Sequence, residues 1–269
     1  MEKLGRRCGR LAGASALAVM LCAAPGHATA DPVVTASPGM EIHQGHAVCM
    51  VGLVEPWLRV AITSGQCDGG QSAVTDRDHH PIGEVVLGRR QLDTDSADAS
   101  TLPVEYEVIA LARDVTASDL LPTGRRLLAA PGLRAVPGLP VCQLRRSTGQ
   151  HCGPVGTVTG GRFAIADMVV DGRDVGGPVY ALTDDGNAVI VGLFEGMVRS
   201  SPQFESWQEV MAQVYVDGRS PGPATAARST HDQLVHRFVC DSISFVPAVG
   251  RRSCARAGFR RPRTGIRGR

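Results

Sequence analysis

The sequence lacks several features that define large classes of protein. After residue 30 it has no apolar stretch approaching the roughly 20 residues that a transmembrane helix needs. Its cysteines form no C-x-x-C pair, which argues against a structural zinc site. No motif typical of specific DNA or RNA binding is present. We therefore expect no membrane span, no metal, no cofactor and no sequence-specific nucleic-acid partner.

The N-terminus has the pattern of a secretory signal peptide. Four basic residues within the first ten precede an apolar run at 11–22, and Ala-Thr-Ala follows at 28–30. A basic start, a short apolar run and an A-x-A site together predict cleavage and export. We expect residues 1–30 to be removed and the mature chain to be secreted or associated with the cell envelope.

Six cysteines remain outside the predicted signal peptide. An even number of cysteines in an exported chain favours disulfides. Pairing sequence neighbours gives Cys49–Cys67, Cys142–Cys152 and Cys240–Cys254. Each unstrained loop of this size would stabilise the fold by roughly 3 kcal/mol.

The formal net charge of +2 conceals an acidic body and a basic tail. Residues 31–218 carry 13 Arg against 23 Asp or Glu, whereas residues 219–269 carry 11 Arg against two Asp. The Arg-rich tail favours contact with a polyanion, such as nucleic acid, lipid head groups or cell-wall polymer. A poorly ordered, solubilising tail is the alternative interpretation.

The body has the pattern of an all-β protein. Short β-branched and apolar segments are separated by Gly, Pro, Asp and Asn, which predicts antiparallel barrels or a sandwich. The predicted strands are 47–54, 58–63, 83–86, 104–112, 154–159, 162–170, 177–182 and 188–194.

One helix is predicted near the end of the body. Ser206 and Glu209 have the spacing of a capping box, and an apolar face follows through Trp207, Val210 and Val214. We expect the helix to end near residues 217–218.

Three ordered stretches then resemble a known family. Residues 173–180 read Arg-Asp-Val-Gly-Gly-Pro-Val-Tyr, close to the Gly-Asp-Ser-Gly-Gly-Pro-Val-Tyr nucleophile loop of chymotrypsin-like serine proteases. Residues 61–67 end in Gly-Gln-Cys, where that family has Gly-His-Cys. Residues 141–153 are similar to the segment that opens the second barrel of the bacterial streptogrisin and alpha-lytic type. Residues 72–76 and 82–86 fit the intervening hairpin, so the resemblance covers most of 40–217.

This resemblance implies a trypsin-like fold: two antiparallel six-stranded β-barrels with one C-terminal helix and the active site in the cleft between the barrels. The implied N-terminal barrel spans 31–135, and the C-terminal barrel with its helix spans 136–218. Residues 219–269 form the basic tail, with weak order expected.

All three triad positions depart from the family pattern. The resemblance places the histidine position at Gln66, the aspartate position at Glu105 and the serine position at Val175. A nucleophile needs an oxygen or sulfur, and a general base must accept a proton near neutral pH. Val175 cannot act as the nucleophile, and Gln66 cannot act as the general base. Gln66 is interpreted as a simple loss of the histidine, not as a new catalytic group. We therefore expect no peptide hydrolysis by the usual route.

The rest of the loop around Val175 is interpreted as a relict of the oxyanion-binding segment, comprising Arg173, Asp174, Gly176 and Gly177. Arg173 replaces a glycine of the family pattern, and its Cβ is expected to disfavour the turn that an oxyanion-binding amide needs. By resemblance, Asp174 could form a structural salt bridge inside the second barrel; an exposed loop aspartate is the alternative.

The histidines form no recognisable catalytic pattern. His43 with His46, and His79 with His80, could bind a metal, but surface histidines are the expected interpretation. His151 could line the cleft or lie on a solvent-facing loop.

Three functional hypotheses remain open. The first is a secreted, catalytically inactive protease homologue that binds a peptide or protein in the cleft. The second is an active serine-type hydrolase with a relocated site, for example Ser64 with His79 or His80. The third is a surface-attachment protein that binds polyanions through its tail.

Overall fold

The computed structural model describes residues 33–90, 103–130, 132–168, 170–198 and 201–219. The predicted signal peptide, the basic tail and the predicted Cys240–Cys254 disulfide lie outside these residues. The described chain forms two barrel-like, mainly antiparallel sheets and ends in one helix, which confirms the predicted fold class. No helix within the described ranges is long and apolar enough to cross a membrane.

The first sheet is built from residues 41–111. Its seven strands follow the spatial order β3-β2-β6-β7-β8-β5-β4. The strands β3 and β4 lie at opposite ends of this order although only two residues separate them in the chain, so the sheet curls back on itself. Along the chain these seven strands are β2 (Glu41–Gln44), β3 (Ala47–Met50), β4 (Leu53–Glu55), β5 (Val60–Thr63), β6 (Ala73–Asp76), β7 (Pro81–Arg89) and β8 (Tyr106–Leu111). The short strand β1 (Thr35–Ala36) precedes them and lies outside this sheet.

The second sheet follows after a short parallel pair between β1 and β9. Its order is β10-β15-β14-β11-β12-β13-β16, and an additional β15–β16 pairing closes it. The strands are β9 (Thr116–Ala117), β10 (Leu127–Leu128), β11 (Pro140–Arg145), β12 (Gly149–Thr159), β13 (Arg162–Ile165), β14 (Pro178–Leu182), β15 (Ala188–Val198) and β16 (Ser201–Ser206). Strand β10 falls within the sequence range assigned to the first barrel, but it pairs with the second sheet.

Strand β8 is buried on both of its faces, because each face packs against an apolar cluster. On β8, Tyr106 and Val108 pack into a core shared by both sheets, while Ile109 and Leu111 point into the first barrel. Successive side chains on a strand point to opposite faces, so β8 contributes to both cores at once. The interior of the second barrel forms a third cluster that includes Phe163, Phe194 and Phe204.

The helix α1 (Trp207–Arg219) begins and ends close to the predicted positions. Trp207, Val210 and Val214 form its buried face and join the core shared by the two sheets. The last turn contacts the first barrel through Asp217, which accepts hydrogen bonds from the Arg89 Nη2 atom at 2.8 Å and from the Tyr106 hydroxyl at 2.8 Å.

Each sheet contains seven strand segments rather than the expected six. In the first sheet, the predicted strand 47–54 is divided at Gly52, because the loop around Gly176 and Leu193 of the second barrel packs against the backbone there. A Cβ atom on Gly52 would lie 2.2 Å from the Leu193 side chain and 2.9 Å from the Gly176 carbonyl oxygen. In the second sheet, the two-residue parallel segment β10 is the addition.

Both predicted disulfides within the described residues are confirmed. The Cys49–Cys67 bond joins β3 to the 3₁₀ turn Gly65–Cys67, and the Cys142–Cys152 bond joins paired positions of β11 and β12. Each therefore joins two segments within one barrel.

The packing of α1 gives a direct stability test. Val214 is fully buried, whereas Val216 on the same helix is exposed. We expect Val214→Ala to lower the free energy of unfolding by about 2 kcal/mol, because it removes two buried methyl groups and leaves a cavity. Val216→Ala should change it by less than about 0.5 kcal/mol. Urea denaturation measures both, and equal effects would contradict the observed helix orientation.

Candidate functional site

The structure brings together Gln66 and Glu105, to which the resemblance assigns the histidine and aspartate positions. Gln66 lies in the 3₁₀ turn Gly65–Cys67, where its backbone amide donates to the Ser64 hydroxyl at 3.0 Å. Its side-chain Nε2 atom donates to the Oε2 atom of Glu105 at 2.5 Å. Glu105 is almost fully buried just before β8. The Glu105 carboxylate therefore contacts the Gln66 side chain, as an aspartate would contact a histidine. The Gln66 side chain is an amide, however, and cannot accept a proton near neutral pH.

Val175 occupies the third position and serves as a packing residue. Its half-buried side chain contacts the apolar clusters inside both barrels, and one of these clusters contains Cys67, the residue after Gln66. Its carbonyl oxygen accepts a hydrogen bond from the Met50 amide at 2.8 Å. The loop that carries Val175 is thus held against β3 of the first barrel.

The glycines after Val175 are required by close backbone contacts. Gly176 has a φ of +83°, and a Cβ there would lie 2.2 Å from the Thr63 hydroxyl oxygen and 2.3 Å from the Met50 carbonyl oxygen. A Cβ on Gly177 would lie 2.8 Å from the Asp174 carbonyl oxygen. Glycine at these two positions therefore allows the loop to pack closely against its neighbours, whichever residue occupies position 175.

The amide of Arg173 is already occupied by a carboxylate. Residues Gly172–Asp174 form a 3₁₀ turn capped by Asp171, whose Oδ1 atom accepts from the Arg173 backbone amide at 3.0 Å. The Arg173 guanidinium also donates to Asp171, at 2.9 Å. Hydrogen bonds from the side chain and the amide of Arg173 lower the pKa of Asp171 to about 2. A negative charge therefore lies against the amide that would otherwise be available to an oxyanion.

The Cβ of Arg173 is expected to disfavour the turn that an oxyanion-binding amide needs, and the segment adopts a capped 3₁₀ turn. Arg173 has no positive φ, so its Cβ imposes no strain where it stands. The amide is instead engaged because the segment winds into a capped 3₁₀ turn, which Asp171 stabilises by accepting the hydrogen bond of the first turn.

Asp174 forms the salt bridge that the resemblance suggested. It is fully buried, and its Oδ2 atom lies 3.0 Å from the Nε atom of Arg145. Its Oδ1 atom accepts from the Arg146 amide at 3.0 Å. Because Arg145 is the last residue of β11 and Arg146 follows it, this carboxylate joins the loop that carries Val175 to that strand.

A buried carboxylate cluster beneath the Gln66–Glu105 pair was not predicted from the sequence. Ser64 donates its hydroxyl hydrogen to the Oε2 atom of Glu195 at 2.9 Å. Arg162 lies 2.9 Å from the Oε2 atom of Glu205 and also donates to the Pro103 carbonyl oxygen at 2.6 Å. The available signal was a glutamate directly after a buried phenylalanine in each of two apolar strands, at 194–195 and 204–205.

Burial controls the charge of this cluster. Desolvation and the neighbouring Glu205 raise the pKa of Glu195 well above its ordinary value. Desolvation also raises the pKa of Glu205 to about 8, although the nearby Arg162 opposes that shift. Both carboxyls are therefore largely protonated at neutral pH, which reduces the cost of burying them.

The relocated pair given as an example in the second hypothesis, Ser64 with His79 or His80, is not formed. Ser64 is fully buried, and its hydroxyl is bonded to Glu195 rather than to a histidine. His80 contacts Asp76. Across the described ranges, no hydrogen bond joins a hydroxyl group to a histidine ring.

The other histidines occupy varied positions. His46, His79 and His80 are exposed, whereas His43 is half-buried and bonded to Glu41. His151 is half-buried on β12 rather than on the loop that the sequence suggested.

One group of side chains could in principle meet a metal ion. Ligand atoms of Asp76, Asp78 and His80 lie within 4.8 Å of one another, an arrangement that the sequence argument missed. In the sequence, this group is visible as three potential ligand residues at every second position, Asp76, Asp78 and His80. Asp76 already accepts hydrogen bonds from the amides of Asp78 and His80, which accounts for the cluster as a stabilised turn.

The chain is similar in sequence to two mycobacterial proteins. The uncharacterized protein Rv1815 of Mycobacterium tuberculosis strain ATCC 25618 / H37Rv is 44% identical over 195 residues, covering 72% of this chain and 87% of that protein. The uncharacterized protein MT1863 of strain CDC 1551 / Oshkosh matches to the same extent. The chain belongs to the family of these mycobacterial proteins. No protein-family model matches it.

Solved structures similar to this member of the Rv1815 family include bacterial serine proteases. A glutamic acid specific serine protease aligns with a TM-score of 0.47 at 16% identity, over 66% of this chain and 96% of its own. Thermobifida fusca protease A aligns with a TM-score of 0.47 at 18% identity, over 67% and 96%. No activity follows from likenesses at these identities.

The buried carboxylates predict an inverted pH dependence of stability. The folded protein keeps Glu205 protonated up to about pH 8, whereas the unfolded chain ionises it near its ordinary value of 4.5. This group should therefore lower the free energy of unfolding by about 1.4 kcal/mol per pH unit as the pH rises between those values.

Glu205→Gln should remove that contribution and make the decline of stability between pH 5 and pH 8 shallower by about 1.4 kcal/mol per pH unit, whereas Glu107 and Glu195, whose pKa values are also raised, keep their own contributions. Glu84→Gln, which alters an exposed glutamate on β7, is the matched control and should keep the wild-type slope. Chemical denaturation at several pH values measures all three proteins. An unchanged slope in the Glu205 variant would show that this carboxyl is ionised in the folded state.

Proposed function

We propose that this chain is an exported protein with a trypsin-like fold that has lost peptide hydrolysis and acts by binding a peptide or protein segment in the cleft between its barrels. The observation that carries the proposal is the contact of Gln66 with Glu105. An amide donates to the carboxylate at the position where a protease needs a proton acceptor. The export half of the proposal is supported by the signal-peptide pattern and by the two disulfides.

The loss of chemistry is supported at three separate points. Val175 offers only methyl groups where acyl transfer needs a nucleophile. Gln66 offers an amide where the general base belongs. The amide of Arg173 is engaged by Asp171 and is not free to stabilise an oxyanion. In subtilisin, removing the nucleophile or the base alone costs about 10⁶ in kcat, so the combined changes leave no route to measurable turnover.

Retention of the scaffold supports a binding role. The disulfide Cys49–Cys67, the salt bridge of Asp174 and the close contacts of Gly176 hold the walls of the cleft in a fixed arrangement. A rigid cleft binds with a smaller entropy cost than a mobile one. The exposed Arg173, beside Val175, gives this surface a charged group that can discriminate among ligands.

Covalent labelling tests the loss of catalysis. We expect a fluorophosphonate probe to leave the intact mass of the folded, disulfide-bonded mature protein unchanged, and a peptide library to remain uncleaved. An active serine protease treated in parallel provides the positive control. A single adduct together with cleavage would overturn the proposal. If Ser64→Ala then abolished that adduct, the nucleophile would be relocated to Ser64.

A charge reversal tests the cleft as the binding surface. Peptides that bind the wild-type protein are first selected from a displayed random library. Arg173→Glu should weaken the binding of the selected peptides at least about tenfold, because it places a second negative charge beside Asp171. Arg113→Glu makes the same charge change on an exposed turn at the other end of β8 and should leave the affinity unchanged. Equal affinity in both variants would place the peptide site elsewhere.

A further inference from the structure

Trp57 is the most exposed large apolar side chain among the residues that the structure describes. It is 93% exposed and lies in the turn 56–59, which joins β4 to β5. A single exposed apolar residue is common on protein surfaces, so the surroundings of Trp57 decide what its exposure means.

The turn that carries Trp57 is fixed to the body of the protein. Leu58 is buried in the core shared by the two sheets. The guanidinium of Arg59 donates to the Val115 carbonyl oxygen at 2.7 Å and also to the carbonyl oxygen of Ala112. The backbone therefore presents the indole outward in a fixed position, so a partner that covers Trp57 would order little additional chain.

A groove opens beside Trp57, between the end strands of the two sheets. Strand β4 ends the first sheet and β10 ends the second, and residues of both strands line the groove. Its volume is about 820 Å³, within the range that holds a drug-sized ligand, so an indole side chain fits. Most of the lining is aliphatic, and it includes the exposed Leu120 and the half-buried Leu128. A projecting indole and an accessible apolar groove thus lie side by side on one surface.

The lining of the groove also carries charges of both signs. The Nη2 and Nε atoms of the exposed Arg126 donate to the Oδ2 atom of Asp119, at 2.5 and 2.9 Å. The hydrogen bond and the charge of Asp119 raise the pKa of Arg126, and the charge of Glu55 adds to that effect. A cation and two anions therefore lie next to the apolar groove.

We propose that this surface binds a second copy of the chain, with Trp57 of each copy lying in the groove of the other. In a dimer with two-fold symmetry, every contact across the interface is matched by the reverse contact. A surface with both a projecting indole and an open groove meets this requirement. The same symmetry brings Glu55 of one copy to Arg126 of the other, so opposite charges meet.

The charges favour a second copy over a partner of one sign. A polyanion would meet the carboxylates of Glu55 and Asp119, and a polycation would meet the guanidinium of Arg126. A partner that carries both signs beside an apolar group avoids both repulsions, and this surface is itself such a partner. Trp and Arg are also the residue types that contribute most to binding at protein interfaces.

The expected interface is small. A buried tryptophan side chain covers roughly 150–250 Å². Two indoles and the groove surfaces that they cover therefore give roughly 600–1,000 Å² in total, below the usual size of a stable interface. We expect a reversible dimer with a dissociation constant in the micromolar range.

The oligomeric state tests the proposal. Sedimentation equilibrium of the folded, disulfide-bonded mature protein, from about 1 µM to about 500 µM, should show a monomer–dimer equilibrium. Trp57→Ala should weaken the dimer at least about tenfold, because it removes the anchor from both grooves. Val136→Ala changes an exposed apolar residue outside the groove and, as the matched control, should leave the association unchanged. A wild-type protein that stays monomeric at every concentration would overturn the proposal.

Fluorescence shows whether the indole itself is covered. The chain has two tryptophans, and Trp207 is buried. Subtracting the spectrum of Trp57→Phe therefore isolates the emission of Trp57. This emission should shift to shorter wavelength and become protected from iodide as the protein concentration rises. Full protection at the lowest concentration, where no dimer is present, would show that another part of the same chain covers the indole and would contradict the proposal.

Mixing two charge variants tests the two-fold arrangement. Glu55→Arg brings cation to cation and Arg126→Glu brings anion to anion, so each variant alone should associate at least about tenfold more weakly than the wild type. An equimolar mixture should recover the dimer, because each variant then meets the opposite charge at both contacts. A mixture that associates no better than either variant would rule out this arrangement. If Arg126→Glu does not fold, the comparison of Trp57→Ala with Val136→Ala still decides the proposal.

This surface is separate from the proposed peptide site. The lining of the groove includes none of Gln66, Glu105, Arg173 and Val175. Arg173→Glu should therefore not change the dissociation constant of the dimer, and Trp57→Ala should not change the affinity of the selected peptides. Failure of either proposal would leave the other standing.

Discussion

The buried polar junction between the barrels is the contact on which the rest of the structure depends. Ser64 of the first barrel donates to Glu195 of the second, and Arg162 reaches back to the carbonyl oxygen of Pro103 while facing Glu205. These bonds cross the interface beneath the apolar core shared by the two sheets. Apolar packing is tolerant of small displacements, whereas hydrogen bonds fix distance and direction. The junction therefore helps to fix the relative orientation of the two barrels.

The loop that carries Val175 is held in place by buried contacts on both sides. Gly176 is confined by contacts with Thr63 and Met50, and Asp174 is bound to Arg145, so the loop is fixed independently of any reaction. Within that framework, Val175 supplies apolar contacts to both barrels.

Carboxyl groups with raised pKa values recur in the interior of this protein, at Glu107, Glu195 and Glu205. In each case burial is the principal cause, and a neighbouring acidic residue adds to it. Such groups are uncommon in structural cores because an ionised carboxylate is costly to bury. Here they are divided between two places, the junction between the barrels and the mouth of the first barrel, which gives the protein two chemically distinct polar interiors.

The sequence by itself determined the all-β class, the helix at its predicted position and two disulfides, because each depends on local pattern or on ordered motifs. Only the tertiary structure determined which side chains contact one another. No periodicity indicates that Gln66 meets Glu105, that Asp171 occupies the amide of Arg173, or that Glu107 keeps an oxygen without a partner. These contacts join segments that are distant in the chain or depend on the winding of a short turn, and burial, which sets their charge, exists only after the barrels have packed together.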